Sequence, residues 1–135
     1  MRFVLRLLLI ALITWLAHMF LPQWTVWPIV LGAFLVGWVL SHKHKRSIFV
    51  RKKPPKAFAF WAGFIAVAAI WGILLWQIDT ANESIMSTRM AALLSQGNES
   101  LTGLHLLLLT SVLGGLIGGF SAMTGNLFGE AIKSE

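Results

Sequence analysis

Four apolar stretches divide the chain, and each gives way where proline, charge or a polar cluster begins. The first runs from Phe3 to Leu21, nineteen residues interrupted by Arg6, Thr14 and His18. As a helix it rises about 28 Å, close to the thickness of the hydrocarbon core of a bilayer. Pro22 ends it, Gln23 to Trp27 forms a turn without charge, and Pro28 suits the first turn of a following helix, where its missing N–H costs nothing. The second stretch, from about Trp24 to Ser41, is therefore expected to return as the other arm of a tight antiparallel hairpin. It is short, which predicts an orientation near the bilayer normal. The third, Ala57 to Ile78, follows Pro54-Pro55-Lys56 and carries no charge over twenty-two residues. The fourth, Leu101 to about Met123, follows Asn98-Glu99-Ser100 as a capping site, with Thr124-Gly125-Asn126 as its expected exit.

Between the third and fourth stretches, residues 79–100, the pattern changes to a helical period. From about Glu83 to Gln96, Met86, Met90, Leu93 and Leu94 share one face while Ser87, Thr88 and Ser95 share the other. Thr80 with Glu83 fits a capping box. A short amphipathic helix lying on a membrane surface is predicted. The whole chain then reads as one all-α integral membrane domain: a four-transmembrane-helix bundle with spans at about 3–21, 24–41, 57–78 and 101–123.

Charge orients this bundle. Seven of the eleven basic residues, Lys43, Lys45, Arg46, Arg51, Lys52, Lys53 and Lys56, lie in the loop 42–56, and Arg2, Arg6 and Lys133 fall on the same side. Only Arg89 falls on the other, so both termini and the basic loop are expected in the cytoplasm. Arg6, one turn inside the first span, is expected to snorkel back to the headgroups. Trp24, Trp27 and Trp76 then sit at the outer interface, Trp38 and Trp61 at the inner one.

Composition agrees: 57% of residues are hydrophobic and 12% charged, against roughly 25% charged in soluble domains. The net charge of +6 is confined to one loop between apolar stretches, so no nucleic-acid partner is expected. Cysteine is absent, which removes thiolate catalysis, disulfides and Cys-ligated metal centres. The N-terminal stretch lacks a small-x-small cleavage site before a polar region and reads as an uncleaved span.

Gly114, Gly115, Gly118 and Gly119 form two overlapping GxxxG pairs, and Ser111, Ala122, Gly125, Asn126 and Gly129 extend the small strip. Small residues at this spacing let helix backbones approach closely. The strip admits three readings. It packs within the chain, against Ala59, Gly63, Ala68 and Gly72 of the third span; it packs against another subunit; or it lines a gap for a lipid, quinone or ion.

Orientation also brings His18, Gln77, Asp79 and His105, with Arg89 in the loop beside them, to a similar depth at the outer end. Two histidines from different helices can ligate haem, and His with Asp can hold a metal. The plainer reading has these groups meeting water, backbone or lipid, and no cofactor, metal or catalytic group is expected. Arg89 is expected to pair with Asp79 or Glu83. The basic loop is a candidate contact for anionic lipid headgroups, beside its role in setting topology. No ionisable residue occupies the centre of any span, which disfavours ion-coupled exporters of four spans.

The string Trp71-Gly72, Trp76, Asp79, Asn82, Ser84, Ser87 and Arg89, followed by the glycine-rich last span, resembles small uncharacterised integral membrane proteins of Bacteroidota. The resemblance covers about the C-terminal half and implies a bacterial inner membrane, with no activity to transfer. The functional expectation is a non-enzymatic accessory or structural subunit that packs against a larger membrane assembly or a second copy of itself. A small channel or carrier, and a haem-binding membrane anchor using His18 and His105, are the alternatives.

Overall fold

A computed structural model describes residues 2–20, 26–42, 57–96 and 101–132. It is all-α, with α1 (Arg2–Phe20), α2 (Val26–His42), α3 (Ala57–Ala81), α4 (Ile85–Leu94) and α5 (Gly103–Ala131). The helices α1, α3 and α5 are long and apolar enough to cross a membrane. The 17 residues of α2 rise about 25 Å, at the short end of spanning lengths.

Four helices stand as the corners of a square. α5 packs along α3 on one side and α2 on the other, and α1 packs against the opposite sides of the same two helices. No backbone approach joins α1 to α5 across the diagonal among the described residues. Phe3 meets Phe58 edge to face at 5.9 Å, so α1 and α3 start at the same end. Phe34, Trp38 and Phe128 cluster with centroids 5.8 to 6.4 Å apart, so α2 and α5 finish there. This basic end holds the start of α1, with Arg2 and Arg6, the last turn of α2 and the first turn of α3. α4 lies at the opposite end.

The bundle is small inside and large outside. Its core is Ile10, Thr14, Ile29 and Val67 set among Ala17, Ala33, Ala59, Ala62, Ala66 and Ala122. Leu8, Leu12, Leu31, Leu35, Trp61, Ile73, Leu108, Val112 and Phe120 point outward and exposed. In water this distribution forgoes most of the available apolar burial. In hydrocarbon it is favourable, because lipid removes the hydrophobic drive between helices and close backbone contact takes its place. The hydroxyls follow the same rule: Thr14, Thr110, Ser111, Ser121 and Thr124 each donate to the carbonyl four residues back, at 2.8 to 2.9 Å. Such a group needs no water.

Two helices run past their expected ends. α3 continues through Asp79 and Thr80 to Ala81, and the Thr80 hydroxyl donates to the carbonyls of Trp76 and Gln77. It therefore closes α3 rather than capping α4. The turn that follows is a Schellman stop: Ser84 N–H bonds to Asp79 O and Glu83 N–H to Thr80 O, with Glu83 left-handed at φ 52°. α5 passes through Thr124-Gly125-Asn126 and ends at Ala131. Its N-cap is Thr102, beyond the expected Asn98-Glu99-Ser100.

α4 carries its apolar face outward. Met86, Met90, Leu93 and Leu94 are exposed, while Ser87 and Ala91 are buried. Ser87 packs on Gly103, where a Cβ would lie 2.6 Å from the Ser87 hydroxyl. Only a glycine lets α4 sit this close to the start of α5.

Candidate functional site

The most developed polar arrangement lies inside the basic end. Arg6 projects from α1 across the square, and its Nη2 donates to Asn126 Oδ1 on α5 at 2.8 Å. Asn126 Nδ2 in turn donates toward Glu130 Oε1 at 3.3 Å. A guanidinium only donates and a carboxylate accepts, so a single amide orientation of Asn126 satisfies both neighbours. Asn126 is 7% exposed and stands one turn from Ala122 and one turn from Glu130 on the inner stripe of α5.

This corrects the snorkelling expectation. Arg6 turns into the bundle because α5 supplies an acceptor there, and a charge-assisted bond of this length offsets part of the lost hydration. It also explains why α5 continues past Met123: Asn126 is satisfied by side chains in the interior. The sequence signals were the arginine in the second turn of α1 and the four-residue step from Asn126 to Glu130.

The glycine strip faces inward. Across the α3–α5 seam, Gly63 and Gly118 lie crossed, and a Cβ on Gly118 would stand 2.9 Å from Gly63 O and 2.8 Å from Val67 Cβ. Gly115 meets Ala68 and Phe64, Gly119 meets Phe60, Gly114 lies under the Trp71 ring, and Ser111 faces Gly72. Across the α2–α5 seam, a Cβ on Gly37 would run into Ala122 O, one on Gly125 into Phe34 O, and Gly129 faces Ser41 and Trp38. Ala122 is fully buried where the two seams meet. The strip thus makes both contacts of α5 within this chain.

The five outer residues do not converge. No hydrogen bond or ion pair joins any two of His18, Gln77, Asp79, Arg89 and His105 among the described residues. Asp79 accepts from the Ser84 hydroxyl at 2.8 Å, which holds the turn into α4. His105 Nδ1 accepts the Thr102 N–H at 3.2 Å and lies 2.7 Å from the Thr102 hydroxyl, so the neutral ring keeps its proton on Nε2. Gln77 and Arg89 are exposed. His18 stands on α1, at the corner diagonal to the α5 of His105. No group of three or more His, Asp or Glu side chains is arranged to hold a metal ion among the described residues.

Lys43, Lys45, Arg46, Arg51, Lys52, Lys53 and Lys56, the candidate headgroup contacts, lie outside the described residues. No protein-family profile matches the chain, and no curated protein or solved structure matches it significantly.

Proposed function

We propose that the chain is a four-span integral membrane protein with both termini in the cytoplasm, acting as an accessory or structural subunit of a larger membrane assembly. The observation that carries the membrane reading is the inverted packing, with glycine and alanine between helices and leucine, isoleucine, tryptophan and phenylalanine around the outside. α2 is the fourth span: its 17 residues lie within the spanning range and it occupies a corner equal to the others. The basic end is cytoplasmic because ten of eleven basic residues flank it. α4 is a surface helix at the outer end, its methionine and leucine face turned to the lipid.

The accessory role is supported by how polar groups are used. Thr14, Ser111 and Asn126 each serve a helix or a helix pair. Because the glycine strip is already covered by α2 and α3, a partner meets the bundle through its large apolar exterior. Anionic headgroups meet the 43–56 loop. The test is purification in mild detergent followed by mass analysis and reconstitution. Recovery with a second membrane protein, or as a defined oligomer, supports the role. A stable lone monomer that conducts ions in liposomes rejects it.

A further inference from the structure

We propose that Arg6, Asn126 and Glu130 form a latch that closes the basic end of the bundle against water. Three observations carry it. Arg6 lies about 6 Å along α1 from its start, near enough to reach the headgroups, yet its guanidinium bonds inward to Asn126. The bond spans the diagonal between α1 and α5, where no backbone contact closes the square. Directly beneath it, one helical turn deeper on each side, Ile10 and Ala122 are 1% exposed, and Thr14 follows at 1%.

The latch therefore sits as a polar lid on a dry core. Among the described residues α1 and α5 share no backbone contact, and the latch is the polar bond that crosses this gap above the buried Thr14. Breaking the latch frees α1 to move away from α5 at that end, while the far end, where α4 lies on the start of α5, is untouched. Asn126 is the pivot because its amide joins a cation on one helix to an anion on another through opposite ends.

The test uses the full chain in liposomes, which carries no native cysteine. Thr14→Cys reports the core beneath the latch and Ser87→Cys reports the opposite end. Labelling by a water-soluble maleimide is followed in each background. Asn126→Leu is expected to speed labelling at position 14 by about tenfold or more, the factor for an opening eased by the loss of one charge-assisted bond. Position 87 stays unchanged. Arg6→Lys, which keeps a cationic donor of nearly the same reach, is expected to hold slow labelling at position 14, while Arg6→Leu opens it. Unchanged labelling at position 14 in Asn126→Leu overturns the proposal, as does equal acceleration at both positions, which reports general loosening. Labelling at position 14 as fast in Arg6→Lys as in Arg6→Leu also overturns it.

Discussion

Replacing Gly125 by alanine tests the α2–α5 seam at its tightest point. The new Cβ would run into the Phe34 carbonyl oxygen, and it would also lie 2.8 Å from that carbonyl carbon and 3.0 Å from Phe34 Cα. These are backbone atoms of a neighbouring helix, so no rotamer relieves the overlap and α2 must move away from α5. A gap of about 0.5–1 Å gives up a quarter to a half of each dispersion contact along the seam. Overpacking of this kind costs about 1–3 kcal/mol, while exchanging glycine for alanine inside a helix returns about 0.5–1 kcal/mol. Because the overlap is with three backbone atoms, the cost falls in the upper half of that range, and the expected net loss is about 1–2 kcal/mol, five- to thirty-fold in the folded ratio. Gly72 is the control, because a Cβ there would meet only the Ser111 side chain, its hydroxyl at 3.2 Å and its Cβ at 3.9 Å. That side chain can turn, so Gly72→Ala is expected to be neutral or stabilising by up to about 1 kcal/mol. SDS titration in detergent, followed by tryptophan fluorescence, measures both against the parent. A Gly125→Ala protein as stable as the parent, or a Gly72→Ala protein less stable than Gly125→Ala, refutes the reasoning.

Two further substitutions follow from the outer end. Glu83 holds a left-handed φ of 52° at the stop of α3, so Glu83→Gly is expected to stabilise by about 0.5–1 kcal/mol in the same titration; a loss of stability contradicts the Schellman assignment. Gly103→Ala sets a Cβ 2.6 Å from the Ser87 hydroxyl and 2.9 Å from its Cβ, and is expected to loosen α4. Faster hydrogen exchange over 85–94, with α1 and α3 unchanged, is the readout.

Spacing and hydropathy located the helices well, but polarity misled at their ends. Asp79 and Thr80 read as lying beyond the third helix and Asn126 as the exit of the last, yet α3 runs to Ala81 and α5 to Ala131. Thr80 bonds back into α3, and Asn126 meets an arginine 120 residues earlier. No local pattern contains that partner. Which helix ends gather at one end of the bundle was legible from the order of the spans, whereas position around the bundle was not. His18 and His105 stand on helices at diagonal corners. The glycine steps at 114, 115, 118 and 119 announce a close approach; which helix makes it depends on the corner that α5 occupies. For α4, the division between Met86 and Ser87 faces was visible in the sequence. That the small polar face docks while the apolar one is exposed follows from the glycine at 103.

Cysteine labelling of intact cells decides whether the chain is a four-span bundle whose basic end lies in the cytoplasm. Single cysteines at Ser47, in the basic loop, and at Ser95, after α4, are introduced into the cysteine-free chain. In that orientation a membrane-impermeant maleimide labels Ser95→Cys on intact cells and reaches Ser47→Cys only after permeabilisation. Labelling of Ser47→Cys from outside, or of both positions from the same side, contradicts it.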